Sequence, residues 1–103
     1  MAVSDQKEVF QVLKEQERKL RDLGVRRWGL FGSFARGEQG KQSDVDILVE
    51  FLPGKKTFDN FMNLAFLLEE ILGRKVDLVT PESLSPYIGP AILKEAQYAT
   101  ITP

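Results

Sequence analysis

Two aspartates one residue apart, Asp44 and Asp46, open an otherwise apolar and β-branched stretch, DVDILVEF. Side chains alternate between the two faces of a β-strand, so both carboxylates would point the same way and repel each other. A divalent cation that they hold together relieves this repulsion, and ligands that are oxygens alone favour Mg²⁺ or Mn²⁺ over zinc. The pair therefore predicts a metal site at the start of a strand, with Val45, Ile47 and Val49 on the opposite face, toward the core.

A third acid, Asp77, lies in the middle of another strand-like run, KVDLVT. A charge on a buried strand is costly without a partner, and the same metal cluster is its simplest partner. If this strand lies beside that of Asp44 and Asp46, the three carboxylates converge. They would then be enough to hold two cations about 3.5–4 Å apart, the arrangement used for in-line phosphoryl or nucleotidyl displacement.

A phosphate site is predicted just upstream, in the segment GSFARG that begins at Gly32. The segment follows a strand-like run and is expected to open a short helix, whose first amides bind anions. The amides after Gly32 and the hydroxyl of Ser33 are therefore candidates to bind phosphate oxygens. The guanidinium of Arg36 either contacts the same anion or anchors the loop to a carboxylate, and the sequence leaves both alternatives open.

Each of these signals has a simpler interpretation. An isolated Asp-x-Asp beside a turn is more often a solvated strand end or a helix N-cap, and a lone Gly-Ser is usually a turn. The combination of Gly-Ser upstream, two aspartates and a third acid on a later strand favours a metal and nucleotide site. Scattered basic residues are more typical of a solvated surface than of a nucleic-acid patch; they are Arg26, Arg27, Lys41, Lys55 and Lys56.

Composition limits the chemistry further. Fourteen basic and fifteen acidic residues give a net charge of -1, which lacks the basic footprint of a nucleic-acid-binding protein. The chain has no cysteine and no histidine, which excludes disulfides, zinc-thiolate sites, thiol catalysis and an imidazole base. Its 103 residues predict one domain, 1–103. With no leader-like N-terminus and no apolar run near about 18 residues, a cytoplasmic location without membrane association is expected.

Periodicity and breakers predict a small α/β (α+β) fold, a mixed sheet of three to four strands covered by helices. The predicted helices are Asp5 to Leu23 with Ser4 as N-cap, Phe58 to Gly73, and one with Pro90 in its first turn that ends near Glu95. The predicted strands are Val25 to Phe31, Asp44 to Phe51, Lys75 to Thr80 and a short Tyr98 to Thr102.

The helix over Phe58 to Leu72 is apolar on nearly all sides, more than one sheet face can cover. Such a helix is most often simply part of the core. The alternative is that one side contacts another subunit, either a second copy or a different protein.

The spacing of these motifs resembles a known signature. Gly-Ser, ten residues, Asp-x-Asp, and an acid on a strand some thirty residues later are similar to the nucleotidyltransferases related to DNA polymerase beta. The compact length and the form FGSFARGE, SDVDILVEF and VDLVTPESL resemble the minimal nucleotidyltransferases, the MNT family. The resemblance runs from about Val25 to Glu95.

This resemblance implies a nucleotidyltransferase-like fold and a role for each motif residue. Gly32 and Ser33 would bind the triphosphate of ATP, Asp44 and Asp46 would bind two Mg²⁺ ions, with Mn²⁺ possible, and Asp77 would bind the catalytic metal. Members of the family are encoded beside HEPN-domain toxins and neutralise them by transferring AMP from ATP to a tyrosine. Two alternatives stay open: an antitoxin whose site is vestigial and which only binds its toxin, and nucleotidyl transfer to RNA or to a small-molecule hydroxyl.

Overall fold

The computed structural model describes residues 2–101, which form five α-helices and four strands. The helices are α1 (Gln6–Glu15), α2 (Glu17–Asp22), α3 (Gly32–Arg36), α4 (Phe58–Leu72) and α5 (Gly89–Glu95). The strands are β1 (Val25–Phe31), β2 (Val45–Phe51), β3 (Val76–Val79) and β4 (Gln97–Thr100), and a single 3-10 turn covers Pro81–Ser83. No helix within residues 2–101 has the length and apolar character needed to cross a membrane.

The four strands form one mixed sheet in the order β3-β2-β1-β4. Strand β1 is antiparallel to both β2 and β4, whereas β2 and β3 are parallel. The parallel pair requires a long crossover connection, which α4 supplies. The predicted mixed sheet covered by helices is confirmed.

The core lies on one face of this sheet. Val45, Ile47 and Val49 of β2 are buried there, as their alternation predicts, together with the apolar sides of α1 and α4. On α4 the buried residues are Leu64, Leu68 and Leu72, whose four-residue spacing puts them on one helical face. Thr57 caps this helix by accepting a hydrogen bond from the amide of Asn60, and Gly73 ends it with a left-handed backbone, φ 67°.

The N-terminal helix differs from the prediction at its start. Asp5, not Ser4, is the N-cap, because its extended backbone directs the side chain to the amide of Glu8, 2.9 Å away. Ser4 instead donates from its amide and its hydroxyl to the Glu8 carboxylate. Both residue types cap helices well, so composition alone did not separate two adjacent candidates.

The same helix is also divided in two, where one continuous helix over Asp5 to Leu23 was predicted. The break is at Gln16, whose φ of -102° and ψ of 15° are not helical. Its amide donates to both Val12 and Leu13, a tightened last turn of the kind that ends helices. No glycine or proline marks this position.

At the other end of the chain, β4 begins one residue before the predicted short strand, and Thr102 lies outside the described residues.

Candidate active site

The parallel pairing of β2 and β3 brings two of the predicted acids together. Asp46 and Asp77 are directly paired in the register of the two strands, so their side chains lie next to each other on the face opposite the core. Asp44 lies two residues before Asp46, just outside β2, and is exposed. The expectation that Asp77 lies on a buried strand is wrong: β3 is an edge strand and Asp77 is exposed.

Burial and the neighbouring carboxylates disfavour the charged form of Asp46. Burial, followed by the charges of Asp77 and Asp44, raises the pKa of Asp46 from 3.8 to about 6. The positive charge of Arg36 opposes this rise but does not cancel it. Negative charge is therefore concentrated at this end of the sheet, around the half-buried carboxylate of Asp46.

These acids suit a divalent cation by their chemistry. Carboxylate oxygens are the ligands that Mg²⁺ and Mn²⁺ prefer, and a cation at Asp46 would favour the ionised form that burial disfavours. Within residues 2–101, however, no three acidic side chains are already grouped closely enough to hold a metal ion. The site therefore offers suitable donors and an excess of negative charge, rather than a finished coordination cage.

Removing the charge of Asp46 should stabilise the metal-free protein. Because the pKa is higher in the folded than in the unfolded state, the folded state binds more protons between about pH 4 and pH 6, so wild-type stability falls as pH rises through this window. We expect Asp46→Asn to gain about 1 kcal/mol above pH 6, once solvent screening is allowed for. This corresponds to roughly 4–8 °C in Tm for a domain of this size.

Thermal unfolding in EDTA at several pH values measures this effect. The difference between Asp46→Asn and wild type should be small at pH 4, grow up to pH 6 and stay constant above it. A difference that is independent of pH would contradict the assigned electrostatic cause.

The glycine of the Gly-Ser pair lies directly against Asp46. Gly32 has a φ of 72°, in the left-handed region that favours glycine. A Cβ atom at this position would overlap the Asp46 Oδ2 atom and lie 2.9 Å from its Cγ. The two halves of the predicted motif are therefore in contact, and only the absence of a side chain at Gly32 allows it.

Helix α3 carries Ser33 and Arg36, and a distant carboxylate holds it. The Gly32 amide donates to Glu95 Oε2 at 3.1 Å, and Arg36 Nη1 donates to Glu95 Oε1 at 2.8 Å. Arg36 also donates through Nε to Glu38 at 2.8 Å. Of the two alternatives for Arg36, the structure contains the anchor to carboxylates, and contact with a ligand stays a prediction.

Sequence reasoning missed Arg74, which organises the loop before the first aspartate. Its Nε donates to the Val3 carbonyl at 2.7 Å, and its Nη1 donates to the carbonyls of Gly40 and Ser43, each at 2.9 Å. The guanidinium also lies 4.9 Å from the ring centroid of the fully buried Phe34 in α3. Arg74 thus connects α3 to the loop that leads into β2. In the sequence, Arg74 is only a basic residue just before a predicted strand, and this pattern is too common to indicate a role.

Comparison with known proteins places this geometry in a family. The nucleotidyltransferase domain family matches residues 13–99, a span that contains all of the site residues described above. The chain belongs to this nucleotidyltransferase family. The protein adenylyltransferase MntA of Thermococcus cleftensis is 41% identical over 101 residues, which cover 95% of this chain and 99% of the relative.

Solved structures agree with this assignment. A protein described as a minimal nucleotidyltransferase matches with a TM-score of 0.70 and 34% identity, over 84% of this chain and 92% of that one. A second match is to the complex of a tri-AMPylated HEPN toxin of Shewanella oneidensis with its MNT antitoxin, with a TM-score of 0.59 and 25% identity over 85% of this chain and 69% of the matched one. The predicted MNT family and its nucleotidyltransferase activity are confirmed.

Proposed function

We propose that this nucleotidyltransferase transfers AMP from ATP to a tyrosine hydroxyl of a HEPN-type toxin and so acts as its antitoxin. The observation that carries the proposal is the pairing of Asp46 with Asp77, with Gly32 packed against Asp46. The full-length similarity to a protein adenylyltransferase and the likeness to an MNT antitoxin complex support it. We also propose that 1–103 is one nucleotidyltransferase domain. A cytoplasmic location stays a prediction.

We assign phosphate binding to the first turn of α3. The Gly32 amide is already bound to Glu95, which leaves the amide and hydroxyl of Ser33 as the groups of this turn that would bind phosphate oxygens. The short helix adds its positive end to the same position. This arrangement would hold the triphosphate beside the two aspartates, with the α-phosphorus directed at the site.

The three aspartates would bind the metal ions and accept the proton of the incoming hydroxyl. Asp44, Asp46 and Asp77 would hold two Mg²⁺ ions, which when bound neutralise phosphate charge and lower the pKa of an incoming hydroxyl. Asp77 is exposed on the edge strand, so a hydroxyl from a partner protein can approach it. We assign to Asp77 the acceptance or relay of the hydroxyl proton as the new oxygen–phosphorus bond forms and pyrophosphate leaves.

A second candidate function rests on the surface of α4. Phe58 and Phe66 are 78% and 63% exposed on this helix, and large exposed aromatic residues are typical of protein interfaces. This surface would suit a toxin or a second copy of the chain. An antitoxin that acts by binding alone, without AMP transfer, would need only such a surface.

Intact-mass measurement of the partner decides between the two functions. The chain is co-expressed and co-purified with a HEPN-type partner, and the complex is incubated with ATP and Mg²⁺. We expect the mass of the partner to increase by one or more AMP units, with EDTA preventing the increase. If a confirmed complex neutralises the toxin without ATP and leaves its mass unchanged, the binding-only function replaces the proposed one.

A further inference from the structure

Glu95 occupies an unusual place for an acid. It is the last residue of α5, where the negative end of the helix dipole disfavours a carboxylate. Its own helix therefore gives no reason for an acid at this position. The compensation comes from α3, where the Gly32 amide and the Arg36 guanidinium each donate to one of its two oxygens. These two bonds also lower the pKa of Glu95, the one to Arg36 more strongly.

The contact with Arg36 is what ties α3 to a distant part of the chain. Glu38, the other partner of Arg36, lies two residues away and moves with it. Glu95 is 59 residues away on a different helix. The side chain of Gln97, in β4, also donates a hydrogen bond to the Ala35 carbonyl of α3, at 3.3 Å. The junction of α5 and β4 thus fixes both the start and the end of α3.

The start of α3 is also where small displacements matter most. Gly32 packs against the Asp46 carboxylate with no space for even a methyl group. If the Gly32 amide lost its acceptor, the turn that carries Ser33 would no longer be held in register with Asp46. A displacement of about 1 Å in a reacting group can cost about 100-fold in rate.

We propose that Glu95 is a positioning residue for nucleotidyl transfer, which holds Gly32 and Arg36 so that the Ser33 turn stays aligned with Asp46. This inference rests on the proposed function and names a residue of the same site. Glu95 acts through α3 and does not contact the nucleotide. Arg36 then acts in the same unit, as the cation that Glu95 holds.

The test compares Glu95→Gln with Glu82→Gln. A glutamine at position 95 has one oxygen and an NH2 group in place of the two carboxylate oxygens that accept from the Gly32 amide and from Arg36, so it cannot accept both bonds in this geometry and cannot form the ion pair. Glu82 forms a similar ion pair at 2.9 Å, to Lys56 rather than to α3, so its variant controls for the loss of a surface charge pair. We expect Glu95→Gln to lower kcat/KM for AMP transfer by about 10- to 100-fold, while Glu82→Gln transfers like wild type.

A second pair of variants separates positioning from direct binding. If Glu95 and Arg36 act as one unit, Arg36→Gln and the double variant should lose about as much as Glu95→Gln alone. If Glu95 instead competes with phosphate for Arg36, Glu95→Gln should bind nucleotide more tightly and Arg36→Gln more weakly, which would overturn the proposal. Equal stability of Glu95→Gln and Glu82→Gln in thermal unfolding excludes general destabilisation as the cause.

Binding of Mg²⁺ with α,β-methylene-ATP, which cannot transfer AMP, is measured in parallel by calorimetry. Weaker binding by Glu95→Gln than by wild type supports the positioning role, whether or not wild type modifies the toxin. If wild type binds the nucleotide but does not modify the toxin, only the proposed acceptor is wrong. Wild-type-like binding and transfer by Glu95→Gln would overturn the inference and leave the proposed function intact. Absence of binding by wild type would contradict both.

Discussion

Asp46→Asn is expected to lower kcat for AMP transfer by about 10³-fold or more, the loss that follows when several kcal/mol of charge stabilisation disappear from a metal-assisted transition state. Asp46 is the most constrained of the three acids, because it is half-buried, paired with Asp77 across the strands and packed on Gly32. An amide at this position keeps the shape of the side chain but removes the charge that would bind the cations. The fold should survive, since Asp46→Asn is also predicted to stabilise the metal-free protein.

Asp77→Asn should cause a loss of similar size for a partly different reason, because Asp77 is also assigned to the incoming proton. Groups that act as a unit are not additive, so the double variant should be little worse than either single one. The control is Asp22→Asn, which is exposed at the end of α2, just before Val25; Val25 pairs with Phe51, at the opposite end of β2 from Asp46. The measurement is transfer of labelled AMP to the toxin at saturating ATP and Mg²⁺. Undiminished transfer by Asp46→Asn would exclude it as a metal ligand.

Much of this site could be predicted from sequence because its parts have local periodicity. Alternation along β2 placed Asp46 on the face of the strand opposite the core residues. A glycine on each side of β1 predicted the bounds of that strand, Val25–Phe31. The sequence left open whether the strand of Asp77 lies beside that of Asp46, and the structure supplies both their parallel pairing and the register that puts the two aspartates together. The correct predictions needed only the geometry of single elements.

The residues that sequence reasoning missed depend on contacts between distant segments. Glu95 meets Gly32 across 63 positions, and Arg74 meets Ser43 across 31. Neither contact repeats with a helical or strand period, so no window of sequence contains it. The burial of Asp77 was misjudged for the same reason, because whether a strand lies at the edge of a sheet is set by the order of all strands and not by its own residues.

Gly32→Ala is expected to be the most damaging single change to both stability and activity. The alanine must adopt a left-handed backbone, which costs about 1–2 kcal/mol. Its Cβ must also displace the Asp46 carboxylate, and forced overpacking of this kind adds about 1–3 kcal/mol. Together these effects predict a loss of about 2–5 kcal/mol in the free energy of unfolding, measured by denaturant titration.

Gly37→Ala separates the two contributions. Gly37 ends α3 with the same φ of 72°, but among the described residues no heavy atom outside Gly37 and its two chain neighbours lies within 4 Å of a Cβ placed there. It should therefore lose only the backbone contribution of about 1–2 kcal/mol and keep its AMP transfer. Gly32→Ala should lose transfer even below its unfolding temperature, because the displaced carboxylate is the one that has to bind the cations. Equal stability and equal transfer in the two variants would mean that the Asp46 side chain moves aside at little cost, and that its contact with Gly32 does not hold the site together.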